Sequence, residues 1–363
     1  MSYKNIYILG VGGSGMSSIA KFLKQKGDNV IGYDQRKSYV TNLLNQDGIK
    51  VVHTLDEITY KPDNVYIYSS AIPIESERFE AFYDKENVLS RPEYLKILSE
   101  HHKIIGITGT HGKTSTTALL SHIFHFNNLN VSYLYGGITT FNGIGGHYGD
   151  TDQPLILETD EAFNTFEKIK ISDLLVLNVD SDHLDYFKNL QNYKDAFYKV
   201  MNNVMDNLVI NYDDQNIKSM KDLKKPVTYG TDISADFRVL SPGNFIYENN
   251  KYEIKSDIIG DHFKSNMLGA IILALLNGIE IKDSLNAIES FGGVKRRIEL
   301  IGITNGVSIY DDYGHHPTEM EATITALKQQ SEKNLYVVFQ PHRYTRTKEY
   351  FNLFKDSLKL ADY

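Results

Sequence analysis

Residues 103–117, KIIGITGTHGKTSTT, carry the densest chemistry in the chain. Apolar Ile104, Ile105 and Ile107 lead into a turn built on Gly109 and Gly112, and a helical pattern begins at Thr114. A strand, a glycine turn ending in Gly-Lys-Thr and a helix make a cradle for phosphate, because backbone N–H groups at the helix start surround its oxygens. In Gly109-Thr110-His111-Gly112-Lys113-Thr114-Ser115, Lys113 would neutralise β/γ-phosphate charge and the Thr114 hydroxyl would sit on Mg²⁺. The spacing departs from the usual one, since Ile107 stands where the first glycine belongs. A second cluster, Gly10, Gly12, Gly13 and Gly15, follows the apolar run NIYIL, and Met16 opens a helix to about Lys26. Asp34 ends the next apolar run, and an acid there can bind a ribose hydroxyl. NAD, FAD or a nucleotide sugar would satisfy that pattern.

Acids, imidazoles and arginines are set around the phosphate loop. PLILETD (154–160) and LLVLNVD (174–180) are apolar runs ending in acids, the pattern of central parallel strands. Ligand groups gather beyond the carboxyl ends of such strands, which places Glu158, Asp160, Glu161, Asp180, Asp182 and His183 near the loop. A carboxylate and an imidazole beside a threonine hydroxyl can complete a magnesium shell, although magnesium prefers oxygen. His262 and Asn266 lie four apart and share a helix face. FGGVKRR (291–297) reads as a linker closing on two arginines, which suit γ-phosphate charge. His342, Arg343 and Arg346 can converge on one loop, and arginine is the natural grip for a carboxylate.

The elements that position these groups read as α/β. Strands are expected at 50–54, 64–71 and 207–214, and an amphipathic helix at 189–204. Residues 140–153 read as loop. Short antiparallel strands fill 226–256, with a turn at Asn249-Asn250. A hairpin turns at Asn305-Gly306, Pro317 opens a helix, and 335–347 is a buried strand running into a polar loop. The 363 residues carry a net charge of −8, with no basic field to attract nucleic acid. The chain has no cysteine, which excludes disulfides and thiolate chemistry. No apolar run reaches a membrane span and the N-terminus lacks a signal peptide's pattern, so a cytoplasmic protein is expected. Three domains are expected: 1–101, binding a diphosphate on its first helix; 102–296, binding ATP; and 297–363, an incomplete α/β unit. A half-domain that thin buries little surface, and the chain is expected to be a shortened form of a longer one.

Taken in order, G-V-G-G-S-G-M-S, I-T-G-T-H-G-K-T-S-T, S-D-H-L-D, G-G-V-K-R-R, D-D-Y-G-H-H-P-T-E and F-Q-P-H-R-Y-T-R-T resemble the Mur ligase family of peptidoglycan synthesis, and within it the alanine-adding branch. The resemblance implies an N-terminal Rossmann-like domain, a central P-loop ATPase with a mostly parallel sheet and a C-terminal Rossmann-like domain, here incomplete. It implies that ATP and Mg²⁺ join L-alanine to the carboxylate of UDP-N-acetylmuramate through an acyl phosphate. Gly12, Gly13, Ser14, Gly15, Met16, Asp34, Ser69, Ser70 and Arg91 would meet the UDP sugar. Thr114, Glu158 and His183 would hold the metal. Asn266, Arg297 and Asp312 would meet adenine, phosphate and ribose. His342, Arg343 and Arg346 would face the amino acid, and the protein would be a monomer or weak homodimer. Phe197 stands where related ligases carry a carbamylated lysine, as in the alanine-adding branch. Ala162-Phe163 and Phe263 depart from the family pattern beside the metal and adenine positions. Three other readings predict different behaviour: a tripeptide-recycling ligase, a nicotinamide dehydrogenase, which leaves Lys113 without a role, and a non-catalytic nucleotide-sugar binder.

Overall fold

Short runs of β-branched and aromatic residues, many followed by a helix, build one parallel sheet and one mostly parallel sheet. The computed structural model describes residues 4–182, 184–331 and 333–363. The first sheet holds β1 (Ile6–Leu9), β2 (Val30–Tyr33), β3 (Lys50–Val52), β4 (Val65–Tyr68) and β5 (Val88–Ser90), in the order β3-β2-β1-β4-β5. All its pairings are parallel. Its helices are α1 (Ser14–Lys26), α2 (Tyr39–Gln46) and α3 (Arg91–His101). Ser38 with Thr41, and Ser90 with Glu93, cap α2 and α3 reciprocally, satisfying N–H groups that a helix start leaves open. The strand order changes direction at β1, so a crevice opens beyond its carboxyl end, where the first glycine cluster lies.

The second sheet is larger. Its strands are β6 (Ile104–Thr108), β7 (Ser132–Thr139), β8 (Gly143–His147), β9 (Leu155–Glu158), β10 (Asp173–Val176), β11 (Asn207–Asn211), β12 (Val227–Gly230), β13 (Phe237–Ser241), β14 (Asn244–Tyr247) and β15 (Asn250–Glu253). They run in the order β15-β14-β13-β12-β11-β10-β6-β9-β7-β8. Every residue of β6 is buried, as suits a strand covered on both faces. α4 (Lys113–Phe126), α8 (Asp261–Leu276) and α9 (Ile281–Glu289) cover one face in a continuous apolar cluster. α8 is apolar almost all round because it is buried there, and each Leu or Ile it buries fully is worth ~1.5–3 kcal/mol. α5 (Leu184–Phe187), α6 (Leu190–Asn202) and α7 (Gln215–Lys218) complete the unit. After the linker come a hairpin, β16 (Glu299–Thr304) and β17 (Val307–Asp311), then α10 (Pro317–Gln329), α11 (Tyr344–Glu349) and α12 (Phe351–Leu358).

Helix α1 belongs to the first sheet yet lies against β7 and β8 of the second. A Cβ on Gly146 would stand 2.0 Å from the Ser18 carbonyl oxygen, so only glycine admits this approach. Buried Lys21 donates to the carbonyls of Asn142 and Ile144, the latter at 3.3 Å.

Four local expectations are corrected. Residues 140–153 contain β8, because Gly145 and Gly146 serve close packing against Tyr135 and α1, not a turn. In 226–256, β12 and β13 extend the parallel sheet and only β13, β14 and β15 pair antiparallel. The tight turn there is Glu248-Asn249, both with positive φ, one residue earlier than expected. Among the described residues 335–343 form no strand, and Tyr336 and Val338 are 67% and 100% exposed. No neighbouring strand pairs with them; Leu335 and Val337 bond instead to the backbone of 362–363. The hairpin at Asn305-Gly306 and the Pro317 helix start stand as expected, with φ of 52° and 77° at the turn. No helix among the described residues is long and apolar enough to cross a membrane.

Candidate active site

The phosphate loop joins β6 to α4, and its conformation comes from glycine. Gly112 precedes the first helical residue with φ +86°, a value strained for other residues, and a Cβ there would lie 2.5 Å from the Asn266 amide. Lys113 Nζ turns back over the loop, donating to the carbonyls of Gly109 (2.6 Å) and Thr110 (3.1 Å) and to Glu161 Oε1 (3.0 Å). Burial works against its charge, but the carboxylates of Glu161 and Asp160 outweigh it and hold the lysine pKa above its ordinary value. Thr110 shares its hydroxyl with Tyr193 and the Asp180 backbone, which fixes the loop to the end of β10.

Beyond β9, Glu158 Oε1 accepts the Thr114 hydroxyl at 2.8 Å and Oε2 accepts the backbone N–H of Gly136 at 2.6 Å. The expected metal pair is therefore brought together, and its donors are oxygens of the kind Mg²⁺ prefers. The third expected ligand, His183, lies outside the described residues.

Three cavities meet around the loop. One of about 360 Å³ is lined by Lys113, Thr114, Glu158, Arg297, His315, His316 and Arg346. A second, about 350 Å³, is lined by Gly112, Ser115, His262, Asn266, Arg297 and Asp312, so the expected adenine, phosphate and ribose contacts share one space. The third, about 240 Å³, is lined by Gly13, Ser14, Gly15, Met16, Ser69, Ser70 and Arg91, and crosses to Gly136, Glu158 and Asp160. Arg91 Nη1 stands 3.8 Å from Asp160 Oδ2.

Some expected residues stand elsewhere. Asp34 accepts the backbone N–H groups of Gly12 (2.9 Å) and Arg36 (3.0 Å). It braces the glycine loop, and neither it nor Gly12 lines the third cavity. The Asp312 carboxylate accepts the N–H groups of Ile298 (2.8 Å) and Gly314 (2.7 Å), and burial pushes its pKa up. His342 is exposed, with its ring 6.0 Å from that of His315, and neither it nor Arg343 lines the Lys113 cavity. Of the three residues expected at the amino acid, Arg346 alone lines the Lys113 cavity. It is 5% exposed, gives Nη2 to both Asp182 oxygens (3.2 and 3.0 Å), and leaves Nε and Nη1 buried without a hydrogen-bond partner among the described residues.

Glu319 and Thr318 were not anticipated. Glu319 Oε1 lies 3.3 Å from His111 Nδ1 and 3.8 Å from Arg297, and Thr318 donates to Asp180 Oδ2 at 2.7 Å. The readable signal was His316-x-x-Glu319 before an apolar run, a reciprocal helix cap. His111, Asp180 and His316 stand close enough to share a metal ion. His111 nevertheless suits a proton better, because its Nε2 also faces Asp180 at 3.1 Å and the two carboxylates overcome burial to lift its pKa to about 9.

Known proteins resemble this chain in sequence and in fold. Three family descriptions match: Mur ligase family, catalytic domain over residues 5–103, Mur ligase middle domain over 107–274, and Mur ligase, glutamate ligase domain over 296–363. A UDP-N-acetylmuramate–L-alanine ligase of Caldicellulosiruptor bescii is 36% identical over 98% of this chain and 82% of its own length. One from Hydrogenobaculum is 36% identical over 99% of the chain and 83% of its own. The crystal structure of UDP-N-acetylmuramate-alanine ligase from Thermotoga maritima superimposes with a TM-score of 0.83 at 26% identity, covering 99% of this chain and 84% of that one. With three successive family domains along it and relatives 36% identical over 98–99% of its length, the chain belongs to the Mur ligase family.

Proposed function

We propose that this chain joins L-alanine to the carboxylate of UDP-N-acetylmuramate in an ATP-driven reaction of peptidoglycan synthesis. The supporting observation is one continuous space: the cavity holding Lys113, Arg297 and Arg346 meets the α1 glycine cavity at Gly136 and Glu158. Residues 1–101, 102–296 and 297–363 serve as sugar, ATP and amino-acid lobes.

The start of α1 offers backbone N–H groups to the UDP diphosphate, with Arg91 beside them. The muramyl carboxylate then reaches past Gly136 to the γ-phosphate. Two anions meet there, and Lys113 and Arg297 lower the barrier by supplying fixed positive charge where water is excluded. Lys113 is already charged and need only exchange Glu161 for phosphate oxygen. Bound Mg²⁺, held by Thr114, Glu158 and the family's His183, would add charge shared with the phosphate oxygens. Among the described residues Arg346 Nε and Nη1 are unmatched, which leaves them for the alanine carboxylate, and an unmatched buried donor gains more from a partner than a solvated one. Fixing that carboxylate positions the amine, which raises its effective concentration at the acyl carbon.

Lys113→Ala tests the reading. Alanine-dependent phosphate release should fall by roughly a thousandfold, while calorimetry shows UDP-N-acetylmuramate binding within about twofold of the parent chain. Loss of both together would contradict separate cradles. ATP hydrolysis by the parent chain that ignores L-alanine would contradict the ligase assignment.

A further inference from the structure

Two adjacent histidines line the Lys113 cavity with opposite tautomers. His315 Nδ1 lies 3.0 Å from the Tyr313 carbonyl oxygen. A carbonyl only accepts, so Nδ1 carries the hydrogen and Nε2 of the neutral ring is the basic nitrogen. His316 is the reverse. Its Nδ1 accepts the Thr318 N–H at the start of α10 (3.4 Å), so the hydrogen sits on Nε2, which is buried with no partner among the described residues. His316 can donate to a bound molecule and cannot take a proton from it while neutral. Both line the cavity of Arg346, the expected carboxylate grip.

An incoming amino acid is an ammonium without a lone pair. It must lose one proton to attack and a second to end as an amide. Lys113 is charged and Arg346 has no acceptor, so neither takes a proton. Resting on the ligase reading above, we propose that His315 is the general base for the amine, with Nε2 accepting the proton shed by nitrogen as the new bond forms. The amine reacts from its neutral form, its first proton having passed to solvent water; nitrogen's lone pair then makes the N–C bond, and the carbonyl π pair moves onto oxygen. The N–H bonding pair stays on nitrogen as its proton passes to Nε2. The oxygen pair then returns, and the C–O bond to phosphate breaks with its electrons leaving on phosphate. Water later removes the proton from His315.

The surroundings keep the base free at neutral pH. Burial lowers the His315 pKa and the Arg346 and Arg297 charges act the same way, against Glu319 and the Tyr313 carbonyl. These groups come from the linker, α10 and α11, and the rings of Tyr313 and His342 complete the shell at 5.1 and 6.0 Å.

The test compares two nucleophiles on the full chain with ATP, Mg²⁺ and UDP-N-acetylmuramate. Hydroxylamine is uncharged at neutral pH and intercepts an acyl phosphate without an enzyme base. His315→Asn keeps an N–H for the Tyr313 carbonyl but has no base. It should lose at least about fiftyfold in kcat for L-alanine with its KM within about threefold, while hydroxamate forms at near the parent rate. Should that variant melt early, His315→Gln is read the same way. Equal losses with both nucleophiles, or an undiminished alanine rate, would overturn the proposal. A parent chain that forms no product with alanine and no hydroxamate would remove the ligase reading, and this one with it.

Discussion

A single imidazole ties the phosphate loop to the third lobe. His111 sits in the turn that would cradle ATP, yet its ring lies between Asp180, beyond β10, and Glu319, on α10. Burial alone would lower its pKa; the two carboxylates reverse that and lift it to about 9, from an ordinary 6.5. A pKa raised in the folded state means that the proton stabilises the fold. That contribution is complete below the unfolded value near 6.5 and is lost as pH climbs through about 9. The shift corresponds to at most ~3 kcal/mol. His111→Gln should therefore melt below the parent at pH 6.5, with the gap closing by pH 9.5. A gap that stays constant across this window would show that the charge on His111 is not what holds the lobes.

Helices and strands carry the next level. Helix α1 is shared between two sheets because Gly146 lets its backbone reach β8 and Lys21 crosses to carbonyls on the same hairpin. Gly146→Ala puts a methyl 2.0 Å from the Ser18 oxygen, and neither backbone can yield cheaply. Overpacking of this kind costs ~1–3 kcal/mol or more. The variant should melt several degrees lower and be cleaved faster by protease between α1 and β7, whereas an unchanged melt would mean the hairpin can slide. This contact also shows where sequence reading stops. The strands before both glycine clusters, the phosphate helix and the Asn305-Gly306 hairpin were legible because local periodicity and turn chemistry determine them. β8 was not, since its glycines look like loop until α1 is seen above them. Lys113, Thr114 and Glu158 could be grouped from residue type and placement after strands, and the structure brings them together; Asn266 and Arg297 were grouped with them through the family motifs, and they line one cavity. Glu319 was legible only as a helix cap, because its partners His111 and Arg297 lie elsewhere in the sequence; His315 was not legible as a base, because a backbone carbonyl sets its tautomer. Asp34 was legible as a position but not in its contacts, for the same reason: its oxygens meet backbone N–H groups that no side-chain pattern reveals.

Across the whole molecule, the reaction requires a sugar acid on one lobe to touch a triphosphate on another. The two cradles share Ser14, Gly136 and Glu158 in their linings. A Cβ on Gly136 would stand 3.1 Å from Ser14 Oγ and 3.5 Å from Glu158 Oε2, so alanine nearly fits and a branched side chain does not. Gly136→Val should block the passage without touching Gly112, Asn266 or Asp312, which face the nucleoside cavity. ATP affinity, read from a fluorescent nucleotide displaced by ATP, should stay within about twofold, while alanine-dependent phosphate release falls by about a hundredfold or more, since a misplacement near 1 Å suffices for that loss. The Glu158 bond to the Gly136 N–H is a backbone contact and survives the substitution, so metal-dependent ATP binding serves as the internal control. If the valine variant ligated alanine at the parent rate, the sugar acid would have to reach the phosphate by another route, and the joined cavities would not be the path of the reaction.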